Sequence, residues 1–261
     1  MESLTYHSYL KIEELLSLQE LKSPEEHDET LFIIIHQAYE LWFKEILHEL
    51  DFIILLIEKG DIARAQHTLK RILTILKVLV HQIDILETMT PLEFLSFRDY
   101  LESASGFQSY QWRELEYALG LKSPAHMKRF TEGSAIRKAL EKRFNSPSLW
   151  HVFLCYLNKI GYPVPDGSEN EISLSTQPSE IVQQVLIKIY HSNPSLAQLC
   201  ELLVDLDEGI QEWRYRHVKM VERTIGSKTG TGGSPGVEYL KSSLFKPLFP
   251  DLWLIRSEFK T

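Results

Sequence analysis

Cysteine is almost missing from this sequence. Cys155 and Cys200 are the two among 261 residues, and each sits inside an apolar helical pattern, FLCYL and LAQLCELLV. That placement predicts two small buried hydrophobes in a reducing compartment and excludes a disulfide framework or a cysteine-bound zinc. Long apolar runs are missing too: stretches such as Phe52 to Ile57 fall well short of the roughly 20 residues that cross a bilayer. The opening MESLTYHSYLKIEELL lacks the basic start and apolar core of a secretory signal. The expectation is a cytoplasmic protein without a membrane partner. Basic residues are in deficit, 28 Lys and Arg against 36 Asp and Glu for a net charge of −8, which argues against nucleic acid as a partner. No useful length alternates with period two, so the chain reads as all-α. Glycine motifs are also lacking: the Walker loop, the Rossmann fingerprint and the nucleophile elbow of a Ser-His-Asp hydrolase are all absent.

What the chain does have is helical periodicity, densest from His27 to Asp51. Leu31, Ile35, Trp42, Ile46 and Leu50 share one side of a helix, and Phe32, His36, Tyr39 and Phe43 form an adjoining stripe. His36 therefore stands between two phenylalanines, either as a core histidine satisfied by a neighbouring carbonyl or as the lining of an aromatic pocket. Ser23 as N-cap and Gly60 as stop bound this helix at Pro24 to Lys59, and Asp61 caps a second one to about Glu87, giving an antiparallel hairpin. Before them lie an apolar segment, Leu4 to Leu10, and a helix from Lys11 to about Gln19. After them, Thr90-Pro91 opens a helix to Leu101 carrying Phe94, Phe97 and Arg98. A small-residue break at 102–106 follows, then an aromatic helix from Phe107 to Leu119 and shorter helices near 122–131, 133–144 and 147–159. A polar loop is expected at 162–179. The helical pattern resumes at Glu180 to His191, so residues 1–261 read as a single domain. Asn193-Pro194 opens a last long helix to about Ile225, which GSKTGTGGSPG at 226–236 must end.

Two histidine patterns carry chemistry. Glu45-Ile-Leu-His48 is one Glu-x-x-His, but a di-iron bundle needs two, and none of the other nine histidines has an acid three residues earlier. His217 continues the apolar stripe Leu203, Leu206, Ile210, Trp213 and has Arg214 and Arg216 beside it. That suits either a core histidine or a haem ligand with arginines for the propionates, the haem being non-covalent because no CxxCH occurs.

Three stretches, HDETLFIIIHQAYELWFKEILHEL, FRDYLESASGFQS and WRYRHVKMVERTIGSKTGTGGSPGVEYL, resemble the signatures of the tryptophan 2,3-dioxygenase family. These haem enzymes open the indole ring of L-tryptophan to N-formyl-L-kynurenine, the first step of the kynurenine pathway. Weaker similarity runs from Leu4 to LFPDLW. The resemblance implies a helical bundle enclosing a b-type haem, O2 as co-substrate and a homotetramer. It assigns His217 as proximal iron ligand and His36 as the catalytic distal histidine that accepts the indole N–H. Phe32 and Phe94 would pack on the indole, Arg98 would fork the substrate carboxylate, and Thr231 would contact carboxylate and ammonium. Ser105 and Gly106 would lie near the haem edge. Residues 1–20 would reach into a neighbouring subunit, giving Tyr6, Tyr9 and Leu10 a place in its pocket. Two departures stand out: Phe94 occupies a position where some members have tyrosine and so lacks a phenolic hydrogen bond, and Pro235 replaces a frequent serine. The latter would stiffen a loop that Gly230, Gly232 and Gly233 otherwise let close over substrate. A relative acting on a substituted tryptophan, and a haem sensor or carrier, are the competing readings.

Overall fold

The structure, a computed structural model, describes residues 3–165, 177–231 and 236–259. In chain order its helices are α1 (Tyr6–Leu10), α2 (Ile12–Leu16), α3 (Glu29–Lys59), α4 (Ile62–Leu86), α5 (Pro91–Arg98), α6 (Tyr110–Ala118), α7 (Pro124–Met127), α8 (Ala135–Asn145), α9 (Leu149–Lys159), α10 (Glu180–Ser192), α11 (Pro194–Ile225), α12 (Val237–Lys241) and α13 (Pro250–Leu254). Short 3-10 turns cover Asp99–Leu101, Gly106–Gln108 and Ile255–Ser257. No strand occurs among the described residues, so the fold is all-α. None of the described helices is long and apolar enough to cross a membrane.

Three long helices frame the interior. Gly60 ends α3 in the left-handed region (φ 79°), where the missing side chain avoids a clash, and its N–H and that of Asp61 return to the carbonyls of Ile57 and Leu56. The Asp61 carboxylate then accepts the Arg64 N–H at 3.2 Å and starts α4, closing the antiparallel hairpin. The third long helix, α11, runs parallel to α4: Gln66 bonds the Ser195 carbonyl, Leu76 faces Gly209, and Asp84 pairs with Arg216 at 2.6 Å. Gly209 makes the contact close, since a Cβ there would lie 3.1 Å from Leu76 Cδ1. The buried face of α3 draws on both sequence stripes, with Ile35, Ile46 and Leu50 of the first and Tyr39 and Phe43 of the second inside, while Leu31 and Trp42 are only partly covered. One continuous core joins α3, α4, α6, α9, α10, α11 and the C-terminal segment. Buried Asp207 pins that last segment: one carboxylate oxygen accepts the N–H of Leu248 and Phe249 and the Trp253 indole N–H, the other the Gln211 amide.

Several sequence expectations are corrected. The first long helix begins at Glu29 rather than Pro24, because the Glu29 carboxylate folds back to accept the N–H of Lys22 and Ser23 and the Ser23 hydroxyl. Ser23 is thus a donor in a buried turn and caps nothing. The segment before Lys11 is helical, and Lys11 in the left-handed region (φ 56°) separates α1 from α2. The helix carrying Arg98 ends there and tightens to a 3-10 turn. Cys200 is buried as expected, but Cys155 is exposed, its thiol 3.4 Å from His151 Nε2. Most of the expected 162–179 loop, residues 166–176, lies outside the described residues.

Candidate active site

A cavity of about 590 Å³ opens between α3, the end of α4, α5, α6 and the second half of α11. Phe32 and Phe94 meet in its lining with ring centroids 5.8 Å apart, and Phe97 backs them at 5.5 Å and 5.4 Å. One helical turn after Phe32, the His36 ring lies 4.1 Å from that phenyl, and its Nδ1 is 2.6 Å from the Phe32 carbonyl oxygen. A carbonyl can only accept, so Nδ1 carries the proton and Nε2 keeps its lone pair. Burial outweighs that carbonyl and Glu40 and holds the imidazole below the usual histidine pKa, so it is neutral near pH 7.

A second histidine reaches the cavity from α11. The His217 ring stacks on Trp213 with centroids 5.0 Å apart and planes 5° from parallel, while Trp213 in turn rests on Trp112 at 4.2 Å. The surface His217 retains faces the cavity. Burial, then the nearby His36 and Arg113, push its pKa down to about 4. Such a group gives a definite pH signature. Its folded pKa lies below the ordinary 6.5, so the unfolded chain takes up the proton first, and the stability of the neutral form, full above pH 6.5, is lost as pH falls toward 4. Thermal midpoints of ligand-free protein should therefore fall over that window, less steeply in His217→Leu; equal slopes would contradict a buried neutral His217.

Charge gathers at another part of the lining. Glu116 accepts from Arg113 at 2.6 Å and from Arg214 at 3.3 Å, and His126, whose Nε2 is 2.9 Å from the Tyr239 hydroxyl, lies 3.9 Å away from it. One carboxylate thus faces two buried guanidiniums. Arg214 Nη1 and His126 Nδ1 are buried without a hydrogen-bond partner among the described residues. Elsewhere, Arg98 donates to the Thr229 carbonyl at 2.5 Å and the Thr231 hydroxyl to the Ala104 carbonyl at 2.6 Å, so the segment after α11 is tied to α5 and to the loop before Ser105.

The chain matches the family described as tryptophan 2,3-dioxygenase over residues 1–159 and 169–259. The chain belongs to the tryptophan 2,3-dioxygenase family. Among its relatives, the tryptophan 2,3-dioxygenase of Herpetosiphon aurantiacus is 56% identical over 259 residues, covering 98% of this chain and 99% of the relative. That of an Anaeromyxobacter species is 51% identical, covering 97% and 96%, and that of Bacillus anthracis 42%, covering 98% and 93%.

Of the residues that the family signatures single out, Phe32, His36, Phe94, Arg98, Ser105, Gly106, His217 and Thr231 all line this one cavity, as does Gly230. Tyr6, Tyr9 and Leu10 do not; they stand exposed on α1, which buries no residue. Gly232, Gly233 and Pro235 lie outside the described residues. Arg216, read from the sequence beside Arg214 as a propionate partner, instead turns to α4 and pairs with Asp84 and Glu87. Sequence reasoning missed Arg113, Glu116 and His126; the only local signal was an arginine and a glutamate one turn apart in the aromatic stretch YQWRELEY. His48 is exposed, and no group of three or more His, Cys, Asp or Glu able to hold a metal stands together among the described residues, so a di-iron site has no donor set.

A haem is the cofactor that tryptophan 2,3-dioxygenase membership implies, and these residues fit one. His217 offers a neutral imidazole, the walls are aromatic and aliphatic, and Arg214 Nη1 is an orphaned cationic donor of the kind that propionates want, with His126 Nδ1 a further unpaired ring nitrogen near the same Glu116.

Proposed function

We propose that this chain uses a b-type haem to open the indole ring of L-tryptophan, placing both atoms of O2 across the C2–C3 bond to give N-formyl-L-kynurenine. The observation that carries the reading is the convergence of His36, Phe32, Phe94 and Arg98 with His217 on one cavity, in a chain 56% identical to a relative named for this enzyme. His217 would hold the iron, and Arg214 with Arg113 would face the propionates. The bound haem supplies the binding and activation of O2.

The protein's own part is recognition and orientation. The unprotonated Nε2 of His36 accepts the indole N–H, and the Phe32 carbonyl fixes that tautomer. Phe32 and Phe94 flank the ring face, offering area and quadrupole but, with phenylalanine at 94, no hydroxyl near the carboxylate. Arg98 exchanges a neutral carbonyl, that of Thr229, for the substrate carboxylate, a stronger charge-assisted and bidentate pairing. The Thr231 hydroxyl exchanges the Ala104 carbonyl for the carboxylate and ammonium in the same way. Together these anchors hold the indole in one orientation and keep water out, which lowers the entropic part of the barrier.

Residues 1–261 act as one domain in this reading, and the chain works as a homotetramer in the cytoplasm with its first 20 residues serving a neighbour. The exposed Tyr6, Tyr9, Leu10, Leu15 and Leu16 on two short helices that bury nothing of their own, with exposed Leu4 just before them, support that exchange. The test is to reduce the haem-loaded protein without oxygen, add L-tryptophan and then air, and follow the absorbance of N-formylkynurenine. Product is expected. A normal haem spectrum without product would move the function to a modified tryptophan or to sensing.

A further inference from the structure

A histidine that binds a metal is ordinarily oriented by a hydrogen bond from its other ring nitrogen to a carbonyl or carboxylate. The two cavity histidines differ in this respect. Both sit on long helices, and both make their closest local contact with the residue four positions earlier. For His36 that contact is a hydrogen bond to the Phe32 carbonyl, 2.6 Å long. For His217, among the described residues, no hydrogen bond reaches either ring nitrogen, and the contact is instead face to face, the imidazole plane 5° from that of Trp213 at 5.0 Å.

The indole is itself held from three further sides. Trp112 of α6 lies against it at 4.2 Å, and from α3 the edges of Phe43 and Tyr39 meet it at 6.0 Å and 6.2 Å with interplanar angles of 84° and 69°. Tyr39 is anchored in turn, its hydroxyl donating to the Leu79 carbonyl of α4 at 2.8 Å. Ring packing from α6 and α3, the latter anchored to α4 through Tyr39, therefore holds the Trp213 plane, and a parallel ring four residues later inherits its direction.

We infer that Trp213 is the positioning residue of the proximal ligand: by stacking, it sets the direction of the His217 imidazole plane, the task that a hydrogen-bonded carbonyl performs elsewhere. The inference rests on His217 being the iron ligand, and it adds a consequence that reading lacks. With no carboxylate among the described residues pulling on its proton, the ligand stays a neutral imidazole, and its direction depends on aromatic packing. Phenylalanine at 213 keeps a flat face for the imidazole, whereas leucine fills similar space without one.

Electron paramagnetic resonance of the ferric cyanide adduct reads the direction of the axial imidazole plane, and it does so without turnover. Wild type and Trp213→Phe should give one narrow set of g values. Trp213→Leu, at equal haem content, should give a broadened, heterogeneous set, with a corresponding spread in the iron–histidine stretching band of the ferrous protein. Trp213→Leu spectra superimposable on wild type would overturn the inference, because the haem or the helix alone would then orient His217. Should Trp213→Leu fail to take up haem, Trp112→Leu loosens the indole from behind without touching His217; broadening supports the inference and an unchanged spectrum overturns it. His217→Ala is the separate check on the ligand itself. If that variant keeps the wild-type haem spectrum, the ligand assignment fails, and the inference about Trp213 goes with it.

Discussion

His217→Ala should yield a folded protein that has lost the normal haem spectrum and, with it, turnover by a factor on the order of 10³ or more, equivalent to at least about 4 kcal/mol of barrier. The direction follows from the chemistry of the cavity. His217 is neutral there, with a pKa of about 4, and so offers a lone pair at any physiological pH. The other cavity histidines stand elsewhere in the lining, His36 on α3 beside Phe32 and His126 next to Glu116 and Tyr239, and neither occupies the α11 position of His217. Removing the ring should leave a hole beside Trp213 that added imidazole can fill, so partial recovery of the spectrum with imidazole distinguishes a lost ligand from a lost fold. Far-ultraviolet circular dichroism supplies the control. A variant that retains both spectrum and activity would show that the iron is held elsewhere.

Arg98→Ala should leave the haem spectrum intact while weakening tryptophan binding by roughly 10²–10⁴-fold, since two charge-assisted hydrogen bonds at about 1.5–3 kcal/mol each are lost. Arg98→Lys separates charge from geometry. It keeps the positive charge but loses the planar fork, so affinity should fall between wild type and alanine. The two variants can be titrated with tryptophan while watching the haem band, and their kcat/KM compared. Normal affinity in Arg98→Ala would remove the carboxylate assignment, and with it the orientation proposed for the indole. Because Arg98 also holds the Thr229 carbonyl at 2.5 Å, the alanine variant should release the segment after α11, visible as faster proteolysis near residue 229.

The frame of this molecule was legible where its signals are local. Gly60 with Asp61 marks a turn within two residues, Asn193 with Pro194 opens α11 where expected, and both follow from cap chemistry alone. The start of α3 was misread because Ser23 looks like a cap, while the partner that changes its role, Glu29, lies six residues on and acts through its side chain. The parallel pairing of α4 with α11 left no mark that periodicity could detect. At the site, the apolar stripe around His217 was visible but ambiguous, since a single axial ligand has no spacing rule; the resemblance, and not the pattern, separated ligand from core. The pairing of Arg214 with Glu116 joins residues 98 positions apart, and no local pattern announces it. Cys155 shows the converse failure: an apolar neighbourhood in sequence did not bury it.

The parallel seam between α4 and α11 also orders the assembly of the site in time. The α3–α4 hairpin closes through a two-residue turn, so the half of the cavity that carries Phe32 and His36 can organise from local contacts. The half that carries Trp213 and His217 meets α4 through pairs such as Arg216 with Asp84, which are 132 residues apart in sequence. Closing so long a loop comes at an entropic cost before any contact returns it, and such contacts form late. A cofactor held between these halves has no complete berth until the last long helix docks. In the proposed reading, haem capture would then be a closing event of folding, and a chain stalled before α11 docks would present an open aromatic groove rather than a site.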